Sequence, residues 1–223
     1  LPATFVYPVT VSLIPAVSAA LTRQNTLQAN RIISSSFRLI ALFSLPAGVG
    51  LSVLAQPILQ LLYPAVPDTA AAAAYHLQIL GAAAVFVCLM ILTNAILQAC
   101  GRVYIPIVTA LIGGAVKIST TYTLCGNPVF GIKGAPISTT ACYAVIAVLN
   151  LCVLAAVLGK SRPRYLPLLC KPALAAALMG GCAHFVFRFL HTAAGLSPQW
   201  AVLAAIVLAA SFYAFLALLL RMV

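Results

Sequence analysis

Apolar residues fall along this chain in seven blocks, each near the ~20 residues a helix needs to cross a ~30 Å hydrocarbon layer. The blocks cover 2–21, 37–62, 74–98, 104–124, 134–158, 166–190 and 199–221. Pro57 and Tyr63-Pro64 interrupt the end of the second, which is long enough to tilt or to include an interfacial turn. The pattern predicts an all-α polytopic membrane protein with seven transmembrane helices.

Prolines stand inside the blocks at positions 8, 15, 46, 57, 106, 136 and 172. Each removes a backbone donor and tends to kink a helix. Membranes tolerate such breaks where neighbouring helices or a wet cavity satisfy the freed carbonyls. Ala110 with Gly114, and the Gly180-Gly181 pair, predict close helix contacts. Plain packing accounts for these features, and so does a protein that moves.

Charge between the blocks alternates. The first connection holds Arg23 and Arg31, with Arg38 at the helix mouth, whereas "YPAVPDTA" has no base and carries Asp68. Arg102 follows the third block, only Lys133 the fourth, and Lys160, Arg162, Arg164 and Lys171 the fifth. The last connection, "HTAAGLSPQ", has no base, although Arg188 lies just before it, and Arg221 closes the chain. Basic loops stay in the cytoplasm. Residues 22–36, 99–103 and 159–165 are therefore expected inside, 64–73 and 125–133 outside, and the C-terminus inside.

Composition agrees with this reading. Of 223 residues, 64% are hydrophobic and 6% charged, too few to cover a water-soluble globule. The mean hydropathy is +1.16. Twelve Lys and Arg oppose a single acid. In a soluble domain that excess would suggest nucleic acid; between spans it reads mainly as topology, and no nucleic-acid partner is expected. No basic n-region precedes the first block, and the chain opens at Leu1 inside a spanning segment, which suggests a piece of a longer protein.

Candidate chemistry is sparse. The seven cysteines form no CxxC and have no zinc-like spacing to His76, His184 or His191. HExxH, GxSxG and paired carboxylates are all missing. His184 and Arg188 share a helical face, as an interfacial pair near the end of a span. Neither an enzyme nor a cofactor is expected.

Polar residues within the spans are more informative. "ILTNAILQACGR" sets Asn94, Gln98 and Arg102 on one i, i+4, i+8 stripe. Their amides would be unsatisfied in lipid, so they either bond other helices or line a substrate path. In "GGAVKISTT", Lys117 lies about nine residues from Gly126, roughly 13 Å along the axis. A charge at that depth costs at least ~2.5–3.5 kcal/mol unless it faces protein, water or a ligand. Snorkelling covers about half the distance. Lys117 is either a structural, snorkelled lysine or one that faces a cavity, where an anionic substrate would supply the missing partner. The row Gly113, Lys117 and Tyr122 would line that path.

Several stretches resemble a known family. "SLPAGVGLSVLAQPILQLLYP" (44–64), "ILTNAILQACGRVYIPIVTALIGGAVKI" (91–118) and "GIKGAPISTTACYAVIAVLNL" (131–151) are similar to the polysaccharide-biosynthesis transporters of the multidrug/oligosaccharidyl-lipid/polysaccharide exporter superfamily. "YPVTVSLIPAVSAALTRQN" (7–25) fits the branch of stage V sporulation protein B, akin to the lipid II flippases. The resemblance covers about residues 7–155.

It implies fourteen helices, two six-helix lobes in a V around a cavity and two C-terminal helices. The seven spans would be helices eight to fourteen: residues 1–158 an incomplete C-terminal lobe of five spans, and 159–223 a basic cytoplasmic loop with two peripheral spans. An N-terminal lobe of the same protein would be the missing partner. Lys117 matches the basic position of the family's "GGxVK" stretch, and Asn94 and Gln98 the "TNAILQ" positions.

The resemblance implies a flippase that moves a polyprenyl-pyrophosphate-linked saccharide or peptidoglycan precursor across the bacterial cytoplasmic membrane by alternating access, in cell-envelope or sporulation work. Membrane lipids and the anionic lipid-linked saccharide are the expected partners, with Lys117, Asn94, Gln98, Tyr122 and Arg102 as substrate-binding residues. The alternatives are an organic-cation antiporter of the same superfamily, which would favour intramembrane carboxylates, and a non-transporting fragment or envelope-assembly scaffold.

Overall fold

The computed structural model describes residues 2–128, 130–159, 165–192 and 198–219. The bases Lys160, Arg162, Arg164 and Arg221, and the side chains of Asp68 and His191, lie outside the described residues. Among the described residues eight α-helices follow one another: α1 (Pro2–Thr22), α2 (Thr26–Val53), α3 (Ala55–Leu62), α4 (Pro67–Ala99), α5 (Tyr104–Cys125), α6 (Gly134–Leu158), α7 (Tyr165–Thr192) and α8 (Pro198–Leu219). Seven of them are long and apolar enough to span a membrane. The fold is all-helical among the described residues, as the apolar blocks predict.

The helix limits differ from the blocks where exposed polar residues interrupt a helix without ending it. Residues 26–36, expected as loop, are the first turns of α2. Ala29, Ile33, Phe37 and Ile40 carry a buried stripe through "RIISSSFRL", while Arg31, Ser35 and Arg38 face out. The actual connection is a tight turn. Asn25 N–H donates to the Ala20 carbonyl and Gln24 adopts φ 55, a left-handed helix stop. The Asn25 side chain then caps α2 by accepting from Gln28 N–H at 3.0 Å.

Likewise α4 begins at Pro67, where a missing N–H costs nothing, and the alanine run 70–74 carries the helix inward. Residues 67–73 are therefore helical, not loop. With 33 residues α4 is about 50 Å long, more than a membrane needs. The expected break at the end of the second block is present at Leu54, between α2 and α3. Pro57 has no N–H to offer the Val53 carbonyl, so the helix ends there and restarts with Pro57 in its first turn.

Pro106 and Pro136 also lie in first turns, of α5 and α6, where they interrupt no ladder bond. Kinking prolines are thus fewer than the sequence suggests: Pro8, Pro15, Pro46 and Pro172 are inside helices.

Helix α4 is the hub. It packs against α1, α2, α3 and α6. The main core joins Val6, Leu13 and Val17 of α1 and Ile33 and Phe37 of α2 to Leu92, Ile96 and Leu97 of α4 and Leu154 of α6. Helices α2 and α4 approach at two glycines: a Cβ on Gly81 would lie 2.8 Å from the Gly48 carbonyl oxygen. Ser52 Oγ donates to the Gln78 carbonyl at 2.8 Å beside them.

Helix α7 packs on α2, and α8 packs on α7 and α3, around a second core of Leu54, Ala175, Ala176, Met179, Ala183, Ala209 and Tyr213. Gly180 makes the close contact, against Val49, whereas Gly181 has open space around it. On α5 the close contact belongs to Gly113, pressed on Ile146 of α6; Gly114 meets nothing and Ala110 is exposed.

Candidate functional site

Helix α5 is the least covered of the spans. It packs on α6 and barely touches α4. Pro106, Thr109 and Gly113 are its buried residues and define its α6-facing side. Two side-chain hydrogen bonds tie it there. Thr121 Oγ1 donates to Ser138 Oγ at 2.7 Å, and Thr109 Oγ1 donates to Asn150 Oδ1 at 2.8 Å.

Lys117 sits between those ties and is exposed. It is four residues from Gly113, on the flank of the α6-facing side. Its ammonium has no ion-pair partner among the described residues. Thr120 and Thr123 spend their hydroxyl protons on helix carbonyls one turn back, which lowers the cost of polar groups at this depth.

The row Gly113, Lys117 and Tyr122 is not a single face. Five residues turn a helix by about 140° beyond a full turn, so Tyr122 points away from Lys117. Tyr122 is 83% exposed while Gly113 is buried against Ile146. The row Asn94, Gln98 and Arg102 also breaks. Helix α4 ends at Ala99, and Gly101 at φ 75 turns the chain, with Arg102 N–H bonding the Leu97 carbonyl. Arg102 is therefore off the stripe, and its guanidinium bonds the Tyr104 hydroxyl at 3.1 Å.

Asn94 and Gln98 do share one side of α4, together with Ala84, Val87 and Ile91, all of them at least partly exposed. Gln98 is exposed, Asn94 half-buried. Asn94 belongs to a polar cluster that the sequence reading did not find. Its Oδ1 accepts from Asn150 Nδ2 of α6 at 2.7 Å, and Asn150 also donates to Thr93 Oγ1 at 3.3 Å. Asn150 and Thr93 have no exposed surface. The available signal was a lone amide in the middle of the apolar run 141–158, four residues after Ile146 and four before Leu154.

The two amides of α4 and Lys117 are not joined to one another by any hydrogen bond among the described residues. They belong to two neighbouring helices that share α6 as support.

A second feature is apolar. A cleft of 670 Å³ opens between α2, α3, α7 and α8, bounded by Pro46, Gly50, Ile58, Met179 and Tyr213. Its volume is in the range of ligand pockets, about 300–1,000 Å³. The Tyr213 hydroxyl is buried and has no hydrogen-bond partner among the described residues. Small residues at Ala183, Ala209, Ala210 and Ala214 leave this space between helices that otherwise touch. Hydrophobic blocks alone could not reveal it. Among the described residues, no group of three or more His, Cys, Asp or Glu could hold a metal; His76 stacks edge-on with Tyr75, over which Lys133 lies at 5.7 Å.

Comparison with known proteins assigns the bundle. A family model described as "Lipid II flippase MurJ" matches residues 2–210, nearly the whole chain. The chain belongs to the MurJ lipid II flippase family. A solved structure, "Lipid II flippase MurJ, inward closed conformation", superposes with a TM-score of 0.73 at 18% identity, over 99% of this chain and 44% of that one. At that identity the likeness is one of fold. The membrane protein YabM of Bacillus subtilis (strain 168) is 29% identical over 147 residues, 66% of this chain and 26% of its own length. The chain thus spans less than half the length of either protein.

Proposed function

We propose that this chain supplies one lobe of a flippase that moves a polyprenyl-pyrophosphate-linked saccharide or peptidoglycan precursor across the cytoplasmic membrane by alternating access. It is a transporter and not an enzyme. The observation that carries the reading is Lys117: an exposed ammonium inside an apolar span, with no acid in any described span to pair with it. A pyrophosphate would provide that pair, and Asn94 and Gln98 on α4 add neutral donors for the oxygens of a headgroup. The apolar cleft beside α7 and α8 would seat part of the prenyl chain.

In this reading residues 2–158 form the lobe, α7 and α8 flank it, and a second lobe of the same protein closes the cavity opposite. The turns at 23–25 and 100–103 face the cytoplasm, the turn at 126–133 faces outward, and the C-terminus is cytoplasmic. Membership of the MurJ family supports the substrate class. The lack of intramembrane acids in the described spans weighs against cation antiport, whose cargo would need a carboxylate.

The test is reconstitution of the protein in vesicles that contain a fluorescent lipid-linked pyrophosphate saccharide. Loss of inner-leaflet fluorophore to an outer quencher, and no extrusion of an organic cation under a proton or sodium gradient, is the expected result. Cation extrusion without lipid movement would overturn the proposal.

A further inference from the structure

Resting on the reading that the bundle carries an anionic lipid-linked cargo, we propose that Asn150 is a positioning residue for Asn94. It holds the Asn94 carboxamide so that its N–H donors, and not its carbonyl, meet the headgroup.

The argument is one of hydrogen-bond accounting. An amide side chain has one acceptor oxygen and two donor protons. Asn150 is fully buried, so all three functions need partners. On its α5 side there is one group, Thr109 Oγ1 at 2.8 Å. On its α4 side there are two, Asn94 Oδ1 at 2.7 Å and Thr93 Oγ1 at 3.3 Å. Only one orientation satisfies everything. The single oxygen faces Thr109, which donates, and the two protons face Asn94 and Thr93. Reversed, Asn150 would bury an N–H without an acceptor. Thr93 is available as an acceptor because its own proton goes to the Leu89 carbonyl at 2.8 Å.

The consequence falls on Asn94. Its oxygen is taken by Asn150, so its NH2 is the free end, and that end has no partner among the described residues. Asn94 lies on the uncovered side of α4, with Gln98 exposed one turn further on. The site therefore presents donors by construction of the buried network. It reads acceptor-rich groups such as phosphate oxygens and rejects donor-only cations. The network also ties α4 and α5 to α6 at one level, through the two ends of the Asn150 carboxamide.

The test measures binding of a polyprenyl pyrophosphate and of the matching polyprenol to the reconstituted protein. Asn94→Ala is expected to lower pyrophosphate affinity about tenfold, as loss of hydrogen bonds to a charged group does, and to leave polyprenol binding unchanged. Asn150→Asp keeps the shape but puts oxygen on both sides. Asn94 then turns its NH2 inward and shows its carbonyl, and pyrophosphate affinity falls by about tenfold or more. The double variant Asn94→Ala/Asn150→Asp is expected to be no weaker than Asn150→Asp alone, since both act through one group. A merely structural Asn150 would weaken both lipids alike and add to Asn94→Ala.

A reading independent of variant folding comes from wild-type protein labelled with 15N-asparagine. Pyrophosphate lipid should shift the side-chain NH2 signal of Asn94 and leave that of Asn150 in place. An unshifted Asn94 signal, or pyrophosphate preference intact in both single variants, overturns the positioning role and leaves the flippase reading standing. Equal binding of both lipids by the wild type removes that reading, and this inference with it.

Discussion

Replacing Lys117 by methionine should move stability and transport in opposite directions. Helix α5 has 22 residues, about 33 Å, and Lys117 stands thirteen residues from its start and eight from its end. Its Cα is therefore roughly 12 Å along the axis from the nearer helix end, and a lysine stem covers about half of that. It stays within the apolar layer without an acid, so it carries part of the ~2.5–3.5 kcal/mol that insertion scales assign to a central lysine. Methionine keeps the length and removes the charge. Thermal unfolding in detergent should then rise, by up to ~2.5 kcal/mol of stability. Flipping should fall: a charge-assisted hydrogen bond to the substrate is worth about 1.5–3 kcal/mol, or roughly ten- to a hundredfold in rate at subsaturating lipid. Lys117→Arg should retain part of the activity because the charge remains. Methionine protein that flips lipid at the wild-type rate would refute the substrate role. If it were instead less stable than the wild type, the lysine would be a structural anchor.

Three further outcomes follow from the fold and its proposed orientation. Gly81→Val should lower the melting temperature by the equivalent of ~2 kcal/mol or more, because its Cβ would meet the Gly48 carbonyl at 2.8 Å and neither backbone can give way; Gly114→Ala, whose Cβ meets nothing, should gain up to ~1 kcal/mol in the same assay. Gln24→Gly should stabilise by about 0.5–1 kcal/mol, since residue 24 is held at φ 55 between α1 and α2; a chemical-denaturation or thermal midpoint below wild type would contradict the turn. On a cysteine-free background, a cysteine at position 127 should label from outside intact cells and one at position 102 should not; the reverse pattern would invert the proposed orientation.

The sequence by itself determined the number and kind of membrane-spanning elements. Seven apolar blocks can bury their backbone polar groups in lipid only as helices, and α1, α5 and α6 start and stop within a residue or so of their blocks. Pro57 foretold the break at Leu54 because a missing N–H is a local fact. Hydropathy failed where one helix face is polar, so the first turns of α2 read as loop although Ile33 and Phe37 are fully buried. It failed again at Arg102 and Tyr122, where spacing along the chain continues past a helix end or past the angle of one face.

What only the tertiary structure decided depends on which faces meet. The sequence nominated Gly114, but Gly113 is the residue that touches α6, and no one-dimensional pattern separates adjacent glycines. Asn150 passed unnoticed as one amide in an apolar run; its role exists only because Thr93, Asn94 and Thr109 arrive from two other helices. The cleft at Tyr213 likewise arises from how α8 packs beside α3 and α7. Helix formation answers to neighbours three and four residues away, whereas a site answers to neighbours forty or fifty residues away, and folding alone brings those together.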